Sequence, residues 1–275
     1  MTRMAFGLVS TFLALASFTV EARSQQVFHS TQSANLPTAR MLRPGNLLFE
    51  ISHRFFPPVS DGAAALWGVD GPSFIRFGLS YQATERLMIG IVRSNLDDNL
   101  ELDAKFGLAD ADLGGARLAL ALAGGVAWNT DLVELSDPGS GQLREDNESQ
   151  QYAMLLANVL LGDRIAVGVA PSYLRNPRVL DLEPENAVAV GLHGQAYVAD
   201  GVSFLAEWIF SESVPGLEHD SGTFGIELET RGHFFKLVFT NQTRMNPTQF
   251  LGGSPSPFEL DELRFGFNIT RLLPF

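Results

Sequence analysis

The sequence predicts an all-β protein: a closed antiparallel transmembrane β-barrel of about 12 strands that follows a cleaved N-terminal signal peptide. Three observations predict it. Apolar and polar residues alternate in segment after segment, long links take turns with short ones, and an export signal is followed by no apolar run of the ~20 residues that a spanning helix needs. Successive side chains of a strand point to opposite faces, so each segment has an oily face for lipid and a wet face for the lumen.

The N-terminus has the features of a secretory signal. A cationic start at Arg3 precedes the apolar run Met4 to Leu15 and a small-residue site that ends at Ala22. We therefore predict a signal peptide at residues 1–22. Residues 23–46 are polar and patternless, which indicates a periplasmic lead-in or plug segment. The barrel is predicted to occupy residues 47–275.

The last strand shows the alternation clearly. Counting back by twos from Phe275 gives an apolar face interrupted only by Arg271, and the residues between are mostly small or polar. Its closing aromatic resembles the terminal strand by which outer-membrane proteins are sorted for assembly, with Phe265, Phe267 and Phe275 as the predicted membrane-anchor and sorting residues. The other predicted strands are 47–55, 74–82, 87–93, 100–108, 117–129, 152–161, 165–173, 188–198, 202–210, 224–230 and 234–240. Strand 152–161 is apolar throughout, so its facing is left open.

The links between predicted strands supply the second observation. Links from odd to even strands are long, and links from even to odd strands are mostly tight, as around Gly162 or Ala199. Outer-membrane barrels pair short periplasmic turns with longer external loops. The short link SNLDD, between the third and fourth strands, departs from this rule.

Composition limits the partners. The chain has no cysteine, a formal net charge of −12 and no cluster of Lys and Arg. A Cys-ligated metal site is excluded, nucleic acid is not an expected partner, and neither a cofactor nor a metal is predicted. The expected partners are outer-membrane lipids and lipopolysaccharide, the outer-membrane assembly machinery and a small polar solute.

Several stretches resemble a bacterial family of membrane-bound β-barrel domains of unknown function. The resemblance runs in order from Leu47 to Arg271 and implies fold and location but no activity. Two departures stand out: Arg231-Gly232 replaces the glycine pair of the family, and the chain continues past Arg271 as LLPF. The segments that carry the resemblance are FEISHRF (Phe49 to Phe55), LWGVDGPSFIRFGLSY (Leu66 to Tyr81), TERLMIGIVRS (Thr84 to Ser94), APSYLRN (Ala170 to Asn176), ETRGHFFKLVFTN (Glu229 to Asn241) and FGFNITR (Phe265 to Arg271).

Charged residues on the wet faces are the predicted functional set. They either pack a narrow interior as an ion-pair network or form charge rings that select a polar solute. The lumen and selectivity candidates are Glu50, Arg54, Arg76, Glu101, Asp103, Lys105, Arg117, Glu207, Glu227, Glu229, Lys236 and Arg264.

Three functions remain open at this point. A passive pore or transport-related barrel for small polar solutes leads. A structural or assembly barrel with a plugged, ion-paired lumen is the first alternative. The second is a membrane-embedded lipid hydrolase that uses His53 or His233. Since Ser52 and His53 point to opposite faces and no Ser–His–acid arrangement is visible, no catalytic residue is predicted, and we expect a protein that is not an enzyme.

Overall fold

The computed structural model of this 275-residue chain describes residues 27–130, 149–179, 185–230 and 232–274. The predicted signal peptide at 1–22, Arg231 and the predicted sorting residue Phe275 lie outside these ranges. Across the described residues, no helix combines the length and the apolar character needed to cross a membrane.

The described residues form twelve antiparallel strands in a closed barrel, which confirms the predicted fold class. Each strand pairs with its neighbours in sequence, and the ladder from Leu47↔Leu273 to Arg54↔Gly266 joins the last strand to the first. The strands are β1 (Leu47–Pro58), β2 (Ser73–Gln82), β3 (Leu87–Ser94), β4 (Asn99–Asp112), β5 (Ala116–Asn129), β6 (Ser149–Leu161), β7 (Ile165–Arg175), β8 (Asn186–Ala199), β9 (Val202–Ser211), β10 (Ser221–Thr230), β11 (His233–Thr240) and β12 (Arg264–Leu273).

The period-2 pattern sets the two faces of the wall. In β5 the small residues Ala119, Ala121 and Ala123 point into the buried lumen, whereas Leu122 points out and is 49% exposed. The structure also settles β6, whose facing the sequence left open. Its inward residues are Tyr152, Met154, Leu156, Asn158 and Leu160.

The two ends of the barrel differ. Turns of two to four residues join β2–β3, β4–β5, β6–β7, β8–β9 and β10–β11 at one end, here called the short-turn end. The opposite, long-loop end carries the 3₁₀ segment Val59–Gly68 and the loop from Asn241 to Leu263. The β3–β4 link, residues 95–98, is short here as well. The chain enters β1 and leaves β12 at the short-turn end, as the predicted periplasmic termini require.

Residues 27–44 are here called the inner segment. Residues 27–42 lie inside the barrel, and Arg43 and Pro44 are exposed where the chain leaves it. The segment rises from the short-turn end, turns as a hairpin at residues 31–38 and returns to β1. Two backbone hydrogen bonds close the hairpin: the N–H of Ser33 donates to the carbonyl of Leu36 (2.8 Å) and that of Thr38 to the carbonyl of Thr31 (3.0 Å). Its tip residues, Ser33 to Leu36, are buried. The sequence left open whether residues 23–46 are a lead-in or a plug segment, and the described part lies largely within the lumen.

The loop from Asn241 to Leu263 is here called the inserted loop. Its residues 241–254 fill the lumen from the long-loop end, whereas Phe258 packs against the outward Phe224. The loop contains one short helix, α1 (Pro247–Phe250), whose four residues are all buried. Phe250 and Leu251 are fully buried, in one apolar cluster with Phe28 and Leu36 of the inner segment and the inward residues of β5–β9. The inner segment and the inserted loop therefore occupy the lumen from opposite ends.

The lumen wall has two halves. Inward residues of β5–β9 are mainly apolar and form one cluster with Phe28, Leu36, Phe250 and Leu251. Inward residues of β10–β12 and β1–β4 carry most of the buried charges, among them Glu50, Arg54, Lys105, Glu227 and Lys236. The interior is amphipathic in cross-section.

The outward position of Leu122 gives a first prediction. Leu122 lies midway along β5, and Leu161 lies at the last position of β6; both are 49% exposed. A cation on the lipid face costs ~2–4 kcal/mol at the bilayer midplane and ~0–1 kcal/mol near an interface. We expect Leu122→Arg to lower the free energy of unfolding from lipid vesicles by about 2–4 kcal/mol, and Leu161→Arg, the matched control, by about 1 kcal/mol or less. Reversible urea unfolding followed by tryptophan fluorescence measures both, and equal losses would contradict this placement in the bilayer.

Candidate functional site

The predicted lumen charges lie at different depths. Arg117 and Arg264 lie near opposite rims: Arg117 pairs with Asp110 at the short-turn end, and Arg264 pairs with Glu262 at the long-loop end. Asp103, Glu229 and Arg76 are partly buried. The remaining seven are at most 5% exposed: Glu50, Arg54, Glu101, Lys105, Glu207, Glu227 and Lys236.

Glu207 binds the tip of the hairpin. Its carboxylate accepts hydrogen bonds from the backbone N–H groups of Ala34 (3.2 Å), Asn35 (3.0 Å) and Leu36 (3.1 Å). The side-chain amide of Asn35 donates to the same carboxylate at 2.6 Å. Hydrogen bonds that involve an ionised group are roughly twice as strong as neutral ones. A single wall carboxylate thus satisfies three successive buried N–H groups.

Two lysines bind carbonyl groups of the same segment. The Lys236 ammonium donates to the carbonyls of Gln32 (2.9 Å) and Ser33 (2.6 Å) and lies 3.5 Å from the carboxylate of Glu227. On the other arm, the Lys105 ammonium donates to the carbonyls of Thr38 (3.0 Å) and Arg40 (2.7 Å). Both lysines are buried, and each ammonium group donates to two backbone carbonyls of the inner segment.

Four neutral wall amides complete the contacts with the backbone of the inner segment. They accept from its N–H groups or donate to its carbonyl groups at 2.5–3.0 Å. The pairs are Phe28 N–H to Gln195, Ala39 N–H to Asn158, Leu42 N–H to Gln82, and Asn268 to the carbonyl of Ala34.

An ionic cluster on the polar side of the lumen lies between the hairpin and the inserted loop and bonds to both. Glu50 accepts from Arg76, from Gln32 of the hairpin and from Ser52 (2.7 Å). Arg76 also donates to the side chain of Asn246 in the inserted loop at 3.0 Å. The small cavity beside this cluster has a volume of about 60 Å³. A solute larger than a few water molecules does not fit there in the conformation described.

A larger cavity, of about 370 Å³, opens at the short-turn end between the inner segment and the β4–β5 wall. Arg40, Arg86 and Arg117 line it together with Glu85 and Asp110, and its floor is apolar. Burial, together with the nearby Arg117 guanidinium, lowers the pKa of Arg40 to about 10. This cavity is a vestibule that ends at the inner segment.

The outward face carries the predicted anchor aromatics. Phe265 lies 6.0 Å from Phe55 and 5.9 Å from Phe239 between ring centroids, and Phe224 lies 5.7 Å beyond Phe239. The four rings form a row across β1, β12, β11 and β10 near the long-loop end, as the interfacial girdle of a membrane barrel does. Phe267 points outward one layer below and stacks on His53 at 4.5 Å.

The histidines considered for hydrolysis lie among apolar or cationic neighbours. His53 packs between Phe55 and Phe267, and His233 contacts the guanidinium of Arg271 near the short-turn rim. His193 is inward, paired with Asn158 at 2.7 Å. Over the described ranges, no three His, Cys, Asp or Glu side chains form a group that could hold a metal ion.

Reasoning from the sequence missed the neutral residues of this site. Asn158 is the one strongly polar residue between Tyr152 and Leu161. A lone polar residue in an apolar strand could have predicted a polar contact inside the barrel. Gln82, Gln195 and Asn268 look like ordinary wet-face residues. The inserted loop carried no signal, since Thr248 and Asn246 reach Glu101 (2.7 Å) and Asn99 (2.6 Å) only once the loop folds inward.

Comparison with solved structures finds barrels of the outer membrane. The NanC porin matches with 6% identity and a TM-score of 0.49, covering 83% of this chain and 99% of its own. OmpT, an outer membrane protein of Vibrio cholerae, matches with 10% identity and a TM-score of 0.40, covering 85% and 99%. The outer membrane protein opdK of Pseudomonas aeruginosa matches with 10% identity and a TM-score of 0.37, covering 85% and 68%. At these identities the likeness concerns the fold alone.

The search of curated proteins gives no match to this chain. A family model described as "Membrane bound beta barrel domain (DUF5777)" matches residues 28–273, which include the inner segment from Phe28 onward together with all twelve strands. The resemblance noted in the sequence is therefore confirmed: the chain belongs to this family of membrane-bound β-barrel domains.

Proposed function

We propose that this barrel resides in the bacterial outer membrane and carries small polar solutes through its lumen, without enzymatic activity. The inner segment closes the path from the short-turn end in the conformation described, and the path opens when this segment withdraws toward the periplasm and the inserted loop loosens with it. On this proposal the outward face contacts outer-membrane lipids and lipopolysaccharide, and the assembly machinery inserts the chain.

A single observation carries the proposal: the buried wall charges bind a segment that enters from one end and is not part of the wall. Glu207, Lys236 and Lys105 form hydrogen bonds with backbone groups of residues 32–40. If the segment withdraws, those charges line a polar passage. Charged rings of this kind are what selective pores use.

The cost of buried charge supports the same conclusion. Replacing a buried ionic group and its partners by apolar residues of equal volume is often neutral or stabilising by ~1–4 kcal/mol. A lumen that served only stability would therefore be filled with apolar side chains, as its other half is. The retained charges at Arg54, Lys105, Glu207, Glu227 and Lys236 indicate a role beyond packing.

The second candidate is a structural or assembly barrel whose lumen stays filled. The fully buried Met154, Leu156, Phe250 and Leu251 favour it, because apolar packing of this kind resists withdrawal. Such a barrel would present its long loops to partners and conduct nothing. Conductance measurements separate the two candidates.

Glu207→Ala tests the closure. The change leaves the three N–H groups at the hairpin tip without their acceptor, and each buried donor left unpaired costs about 1–3 kcal/mol. The closed state is weakened, so we expect the mean conductance of single proteins in planar lipid bilayers to rise above that of the unmodified protein.

The matched control is Glu262→Ala. This carboxylate pairs with Arg264 at the long-loop rim and makes no contact with the inner segment. Its conductance should equal that of the unmodified chain. If Glu207→Ala also conducts no more than the unmodified chain, release of the inner segment does not open the lumen, and the proposed closure is contradicted.

A reversible cross-link tests the same idea in the opposite direction. The chain has no cysteine, and the side-chain oxygens of Ser30 and Glu227 lie 3.2 Å apart. We expect the Ser30→Cys/Glu227→Cys pair, joined by a short thiosulfonate cross-linker, to lose conductance and to regain it on reduction. The link holds the segment in the lumen.

The control pair for the cross-link is Thr223→Cys/Thr240→Cys. These hydroxyls lie 2.8 Å apart on β10 and β11, both within the wall. Linking them should leave conductance unchanged. Conductance that survives the Ser30–Glu227 link would contradict the proposal.

A further inference from the structure

We propose that the solute is a short peptide, and that the inner segment occupies the peptide's binding site as a tethered substitute. The inference rests on the proposed transport function and names the chemical class that the lumen binds. It comes from the way the wall contacts the inner segment.

The wall binds the backbone of the segment more than its side chains. Seven wall side chains hydrogen-bond to its N–H or carbonyl groups at separations of 2.5–3.2 Å. They come from β2, β4, β6, β8, β9, β11 and β12, on both sides of the lumen. They are Gln82, Lys105, Asn158, Gln195, Glu207, Lys236 and Asn268. Contacts of this kind recognise any peptide and depend little on its sequence.

The polarity of these contacts fits a chain of amides. Glu207 provides acceptors for three successive N–H groups, and each lysine provides donors for two carbonyls. A free peptide also carries a terminal ammonium and a terminal carboxylate. These termini can pair with Glu207 and with Lys105 or Lys236 when the segment has left, so that no buried charge remains alone.

The apolar half of the lumen binds the apolar side chains of the inner segment. Leu36 lies against Gly191, where a Cβ atom would come within 2.7 Å of the leucine methyl group, and Phe28 contacts the ring of His193 edge-on at 5.1 Å. A carbohydrate has no such side chains to place there. Backbone-binding groups on one side and apolar subsites on the other favour peptides over sugars.

Uptake into proteoliposomes that contain the full-length protein tests the inference. The probes are the tripeptide Ala-Leu-Ala, the ester analogue of the same size whose internal N–H groups are replaced by oxygen, and a disaccharide. We expect the tripeptide to enter about tenfold faster than the ester analogue, as the loss of two hydrogen bonds of ordinary net strength implies.

The outcomes separate this inference from the function on which it rests. If all three probes enter at similar rates, transport stands and the peptide inference is overturned. If none enters above the rate of protein-free liposomes, the proposed transport function is overturned, and the inference falls with it.

Lys236→Met and Lys105→Met locate the discrimination. Each removes one ammonium that binds two peptide carbonyls, and we expect the ratio of tripeptide to disaccharide uptake to fall in both. Two positions are used so that a folding defect in one variant leaves the other readable. Arg164→Gln, at an exposed turn beside Asp200, is the control and should keep the ratio of the unmodified chain. An unchanged ratio in a folded lysine variant would overturn the assignment of the site.

Discussion

The absence of water in the bilayer core is the constraint on which this structure depends. Every backbone group of the wall must find a partner within the protein, and a sheet achieves this only by closing on itself. The ladder between β1 and β12 is that closure, with Glu50 opposite Thr270 and Ile51 opposite Ile269. Because pairing is fixed around the whole circle, alternate residues of every strand are forced either into lipid or into the lumen. The amphipathic interior follows from which residues the sequence places at the inward positions.

The closed wall creates a second requirement inside the barrel. Inward charges at Lys105, Glu207 and Lys236 are shielded from bulk water and need partners, while the backbone of the inner segment also needs partners. Each set satisfies the other. This mutual dependence places a segment with few internal hydrogen bonds in the lumen without leaving its backbone groups unpaired. It also means that anything able to offer the same amide groups can compete with it.

The sequence predicts the wall better than its contents. Alternation between lipid and lumen gives wall strands a period-2 pattern, and this pattern makes them predictable. Strand β4, for example, is predicted at 100–108 and runs from Asn99 to Asp112. The sequence does not predict which residues of β6 point inward. Its inward Met154 and Leu156 pack in the apolar half of the lumen, so they are as hydrophobic as its outward residues. The inner segment has wall on every side and therefore no alternation. The inserted loop, likewise, acquires its contacts from Asn99, Glu101 and Arg76, which lie about 150–170 residues earlier in the chain.

Withdrawal of the inner segment would not by itself open a continuous path, because the inserted loop also lies within the lumen. Its helix α1 has four residues. The loop's hydrogen bonds with the polar half include those from Thr248 to Glu101, from Asn246 to Asn99 and from Arg76 to Asn246. The same Arg76 pairs with Glu50, which also accepts from Gln32 of the hairpin. When the hairpin leaves, Glu50 loses one donor and can draw Arg76 away from Asn246. This ionic cluster is thus the physical link through which one closure can loosen the other, because both share the charges of Glu50 and Arg76.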